Sequence, residues 1–74
     1  MIPNDALINA LRSLGFVFKK QHPRVMLYKK QGETLRVEVR RRDNHDEQYA
    51  RIVLRQAGMT KDNIDRFVAE SKRQ

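Results

Sequence analysis

The seven residues from Thr34 to Arg40 alternate without interruption. Leu35, Val37 and Val39 occupy one parity, and Thr34, Arg36, Glu38 and Arg40 the other. A period of two fits a pleated strand and does not fit a helix. Apolar side chains on one parity and polar ones on the other require a sheet with one covered face and one wet face. No other stretch restricts the fold as strongly. The chain must supply partner strands for this segment and a layer to cover its apolar face.

The partners lie just upstream. Phe16-Val17-Phe18 opens a strand over 16–20, and Val25 to Lys29 forms a second over 25–29. Gln21-His22-Pro23-Arg24 separates them as a turn, because proline cannot donate to a central ladder. Lys30-Gln31-Gly32-Glu33 connects the second strand to the third, over 34–40, as a hairpin. The second strand is apolar on both sides, with Val25 and Leu27 on one and Met26 and Tyr28 on the other. One side meets the covering layer, and the other invites a partner chain or a second copy.

Helices flank the strands. Asn4 caps a helix over 4–14 whose Leu7, Ile8, Leu11 and Leu14 form one stripe, with Asp5 in the favourable first turn and Gly15 at the exit. Asp46 caps a second helix over 47–57, where Ala50, Val53, Leu54 and Ala57 recur at helical spacing before Gly58. Thr60 caps a third over 61–70, with Ile64, Phe67 and Val68 inward and an i, i+4 pair of Asp62 and Arg66. Residues 71–74 read as a frayed end. The expected fold class is therefore α+β, in the order α-β-β-β-α-α, as a single domain. Its three-stranded antiparallel sheet is covered on one face by helices, an arrangement like that of the double-stranded-RNA-binding domain.

Composition narrows the function. The 74 residues contain no cysteine, which excludes disulfides and thiolate metal sites. His22 and His45 are distant in sequence, and neither has a second ligand at metal-helix spacing, so no metal or cofactor is expected. No apolar run approaches the roughly 20 residues needed to span a membrane, and residues 1–5 lack the pattern of a signal peptide, so the expected location is the cytoplasm. The formal net charge is +7, and it is polarised. Between Arg12 and Arg42 stand ten Lys/Arg and two acids, whereas residues 43–74 are balanced. A surface of this kind suits a polyanion, with RNA the first candidate. The candidate RNA-binding residues are Lys19, Lys20, Arg24, Lys29, Lys30, Arg36, Arg40, Arg41 and Arg42. Tyr28 is a candidate for base stacking, although a strand aromatic more often packs inward.

Several strings resemble the HicA family of bacterial toxins. Leu7-Ile8-Asn9-Ala10-Leu11 followed by Leu14-Gly15-Phe16 is similar to the family's first helix and its exit. Tyr28-Lys29-Lys30-Gln31-Gly32-Glu33 is similar to its second strand and turn. Tyr49 to Met59, with Leu54-Arg55-Gln56-Ala57-Gly58, is similar to its second main helix. The resemblance covers about residues 7–68. It implies a double-stranded-RNA-binding-like fold, metal-independent cleavage of mRNA, and neutralisation by a HicB-like antitoxin. The family's Gly-Ser-His signature falls over Pro23-Arg24-Val25, where this chain has no histidine. His22 stands three residues before the expected position.

Cleavage of RNA without a metal needs a base for the 2′-hydroxyl proton, an acid for the leaving oxygen and cations for the phosphorane. Histidine suits the proton work, since its unperturbed pKa of about 6.5 is close to operating pH. His22, between Lys19-Lys20 and Arg24, is the candidate catalytic residue. His45 has acidic neighbours (Asp43, Asp46, Glu47) and reads as a residue of a solvated loop. Two other functions fit the same residues: a non-catalytic RNA-binding module, and an adaptor whose basic face binds an acidic protein.

Overall fold

A computed structural model describes residues 1–72. Arg73 and Gln74, the end of the stretch expected to fray, lie outside the described residues. The elements run β1 (Ile2–Pro3), α1 (Asn4–Ser13), β2 (Phe16–Gln21), β3 (Val25–Lys30), β4 (Arg36–Arg40), β5 (Asn44–His45), α2 (Glu47–Gln56) and α3 (Lys61–Ser71). The protein is a small α+β fold with three helices and a three-stranded antiparallel sheet in the order β2-β3-β4.

The sheet register sorts the side chains. Phe18 lies opposite Tyr28 and Tyr28 opposite Val37, while Met26 lies opposite Val39. Cross-strand partners share a face, so Phe16, Phe18, Met26, Tyr28, Val37 and Val39 all look toward the helices. Phe16, Tyr28, Val37 and Val39 are buried in one cluster with Leu7, Ile8 and Leu11 of α1, Ala50, Val53 and Leu54 of α2, and Ile64 and Val68 of α3. The hydrophobic stripes of the helices thus meet the apolar parity of β4, as the alternation required. Burying each of these large apolar side chains stabilises the fold by about 1.5–3 kcal/mol before the ordering cost is set against it. The core is small, so few of them are dispensable.

Several details differ from the sequence expectation, beginning with element ends that shift by one residue in α1, β2, β3 and α2. Leu35 precedes β4 and is 38% exposed, so the inward parity begins at Val37. Ser71 completes α3 and is buried, so the helix runs one residue beyond its expected end. Asn4 is the first residue of α1 rather than its cap, and its side chain bonds elsewhere. The ion pairs of the last two helices bypass Asp62 and Arg66. Arg51 reaches Asp65 at 2.7 Å and Glu47 at 3.1 Å, while Lys61 bonds Asp65 and Lys72 bonds Glu47. The Arg51–Asp65 and Lys72–Glu47 bonds join α2 to α3, and the four together hold both carboxyl groups below their ordinary pKa.

Two short segments, β1 and β5, form a separate ladder in which Ile2 faces His45 and Pro3 faces Asn44. The Asn4 amide donates to the Asp43 carbonyl at 2.8 Å and extends it. Ile2 is fully buried in the core. His45 is only 2% exposed, which overturns its reading as a solvated loop residue. Its Nε2 lies 2.8 Å from Asn4 Oδ1, and its ring lies against Tyr49 with centroids 5.2 Å apart. Burial is the main cause that lowers the His45 pKa, reinforced by Arg42 and Arg40 and opposed by Asp46.

Candidate nucleic-acid interface

The second face of the sheet carries no helix residues of the core cluster, and the register assigns its occupants rung by rung. Val25 pairs with Arg40 at one end. Lys20, Leu27 and Glu38 form the middle rung, and Val17, Lys29 and Arg36 the last. Down β4 this gives Arg40, Glu38 and Arg36. Down β3 it gives Val25, Leu27 and Lys29. These are the polar parity of β4 and the second apolar parity of β3, now known to look outward. Val25 and Leu27 are half-buried and line pockets together with basic side chains.

A β-bulge enriches this face in charge. The pairing shifts between Phe18 and Lys20, so that Lys19 is the extra residue. A regular strand would send Lys19 and Lys20 to opposite sides. The bulge sets two residues against one and brings both to the outer side. Lys19, Lys20, Lys29 and Arg36 consequently line one pocket together with His22 and Leu27.

His22 sits in the turn between β2 and β3, half-buried, with its amide donating to the Val25 carbonyl at 2.9 Å. It reaches two concavities. One is the cationic pocket. The other is a groove that wraps the free edge of β4, lined by His22, Leu27, Arg36 and Glu38 on the sheet side and by Tyr49 and Ile52 of α2 on the other. Glu38 is thus a second titratable side chain bordering the groove that His22 borders. The β4 alternation placed it on the wet parity, but its position across Leu27 from Lys20 depends on register and was not visible in the sequence.

Tyr49 closes part of the β4 edge. Its hydroxyl accepts from the Arg40 amide at 3.1 Å and faces the Glu38 carbonyl at 3.4 Å. The Arg40 guanidinium lies 4.7 Å from the centre of the Tyr49 ring. Ile52, 51% exposed, borders the same groove.

The remaining candidate residues divide into three groups. Arg24, Arg40, Arg41 and Arg42 line a pocket at the turn end of the sheet with Pro23 and Val25. Lys30 is not brought to the outer face. It pairs with Phe16 in the ladder, its stem lies near Gly15, and its ammonium is 3.3 Å from Glu33. Tyr28 is buried on the helix side, edge-on to Phe18 at 5.8 Å, and is not a stacking platform for a base. Among the described residues no group of three or more His, Cys, Asp and Glu side chains could hold a metal ion, and no helix is long and apolar enough to cross a membrane.

No protein-family model matches this chain, and no curated protein and no solved structure matches it. The geometry of the outer face is therefore what the functional reading rests on.

Proposed function

We propose that this protein binds RNA through the outer face of its sheet. The observation that carries this reading is the segregation of charge by register. Lys19, Lys20, Lys29, Arg36 and Arg40 collect on the face opposite the core, with Glu38 as the acid among them. A structural role for these cations would need carboxylate partners, and the five ion pairs among the described residues involve Lys30, Arg51, Lys61 and Lys72 instead. The strand residues of this face offer phosphate contacts and include no aromatic for bases to stack on. That favours a structured RNA recognised by backbone and shape, as double-stranded-RNA-binding domains do. The α-β-β-β-α core order and the HicA-like strings support the same assignment.

Cleavage is the second reading, favoured by one observation: His22 and Glu38 border the same groove beside the cations. In this reading the Glu38 carboxylate takes the 2′-hydroxyl proton and the 2′ oxygen attacks phosphorus. The His22 imidazole passes a proton to the departing 5′ oxygen. The products are a 2′,3′-cyclic phosphate and a 5′-hydroxyl end. Lys20, Lys29 and Arg36 offset the charge of the phosphorane. Such a protein would act as a HicA-like toxin with an antitoxin that covers this face. Induced expression of the parent and of His22→Ala, scored for growth and for total mRNA integrity, decides between the readings. Arrest and mRNA loss with the parent alone are expected for the nuclease. No arrest by the parent, with RNA binding intact, leaves the binding module.

A further inference from the structure

The pocket lined by Arg24, Arg40, Arg41 and Arg42 has a construction that stability does not explain. Arg24 and Arg41 are held side by side, since the Arg41 amide donates to the Arg24 carbonyl at 3.0 Å. The Arg42 amide donates to the Arg40 carbonyl at 3.0 Å, which tightens the chain as it leaves β4. Like charges placed opposite each other in a ladder are destabilising. No carboxylate lines this pocket, and none of the four arginines belongs to an ion pair among the described residues.

Two of the guanidinium groups are nevertheless set in place by neutral partners. Arg41 Nη1 donates to the Pro23 carbonyl at 3.2 Å. Arg40 lies over the Tyr49 ring at 4.7 Å. Each contact fixes the side chain without neutralising it and leaves most of its N–H groups free. Pro23 also fixes its own φ and stiffens the turn that carries Arg24. Four cations assembled from the β2–β3 turn and the end of β4, with no carboxylate lining their pocket, form a site for an anion of high charge. The planar guanidinium fork matches phosphate oxygens in particular.

We infer that this pocket is a phosphate site, the second of two phosphate anchors on the RNA-binding face. The inference rests on the RNA-binding reading and adds a distance to it. Arg40 and Arg36 are four residues apart on one parity of β4, as are Val25 and Lys29 on β3, so the two anchors stand about 13 Å apart at the usual rise of a strand. A ligand that engages both must present two phosphates at that separation across one face.

The test uses the full chain and inorganic pyrophosphate as the probe. Titration followed by NMR of the arginine side-chain N–H groups is expected to give saturable shifts at Arg24, Arg41 and Arg42. An Arg24→Ala/Arg42→Ala double variant leaves the Arg41–Pro23 bond in place, and its folding is checked by circular dichroism. It should bind pyrophosphate at least tenfold more weakly, and its log affinity for an RNA hairpin should fall less steeply with log salt by roughly 0.7–0.9 for the phosphate lost. Arg42→Lys, which keeps the charge and loses the fork, should recover only part of the pyrophosphate affinity. Shifts spread evenly over Lys19, Lys20 and Lys29, or an unchanged salt slope in the folded double variant, would overturn the pocket. Saturable pyrophosphate binding by a protein with no salt-dependent RNA affinity would instead overturn the RNA-binding reading, leaving a site for free polyphosphates.

Discussion

Removing the last rung of the outer face, as Lys29→Ala/Arg36→Ala, gives the most direct test of the interface. The two side chains face each other across β3 and β4 and line the cationic pocket. Each Lys or Arg that neutralises a phosphate contributes roughly −0.7 to −0.9 to the slope of log affinity against log salt. The two line one pocket that holds one phosphate, so loss of both should make the slope shallower by about 0.7–0.9. Over a fourfold rise in salt the parent should lose roughly 2.6–3.5 times more affinity than the variant. Anisotropy of a labelled RNA hairpin across a potassium chloride series reads this directly. Lys30→Ala is the internal control. Lys30 is adjacent in sequence to Lys29, but it faces the helix side and is bound to Glu33. Its removal should leave the slope where it is. If Lys30→Ala flattens the slope as much as the double variant does, charge density rather than face governs binding. If the double variant keeps the parent's slope, the outer face is not the interface.

Two further outcomes follow from the β4 edge and the short ladder. Tyr49→Phe keeps the ring against His45 and Arg40 but leaves the Arg40 amide and Glu38 carbonyl without the hydroxyl. Urea unfolding should show a loss of about 0.5–1.5 kcal/mol at an unchanged m-value, and no loss would mean that water replaces the bond without cost. His45 has a folded-state pKa below its unfolded one, so the unfolded chain takes up the proton more readily. Its contribution to stability is complete above the unfolded-state pKa of about 6.5 and is lost as pH falls through the lower folded-state value. His45→Asn should flatten stability against pH in that window, and a variant with the parent's pH profile would place the titration elsewhere.

The alternation of Val37 and Val39 against Arg36, Glu38 and Arg40 was enough to identify a half-covered sheet, because period and burial agree along β4. The helices were legible for the same reason, and the Asp46 and Thr60 caps accept from the Tyr49 and Asn63 amides as the residue types suggest. What escaped the sequence was long-range or depended on register. The β1–β5 ladder is two residues long on each side, too short to leave a periodic signal, and it joins positions 41 residues apart through Asn4 and His45. The acids around His45 suggested solvent, but Asp46 serves α2 and the imidazole turns inward. Proximity in sequence makes the candidate cations a single group. Parity divides them, sending Lys29 outward and Lys30 inward. Glu38 and His22 stand 16 residues apart in the chain, and no local pattern foretold that they share a groove.

The bulge at Lys19 makes shape and charge separable in this molecule. Lys19→Ala and deletion of Lys19 each remove one positive charge from the outer face. The substitution keeps the extra residue, and with it the added twist of β2. The deletion lets Lys20 follow Phe18 directly, opposite Leu27, and restores a regular hairpin. A phosphate backbone that answers only to charge cannot distinguish the two proteins. A duplex seated on a curved surface can, and the difference between the two variants measures how far recognition depends on the curvature of the strand rather than on the ions it carries.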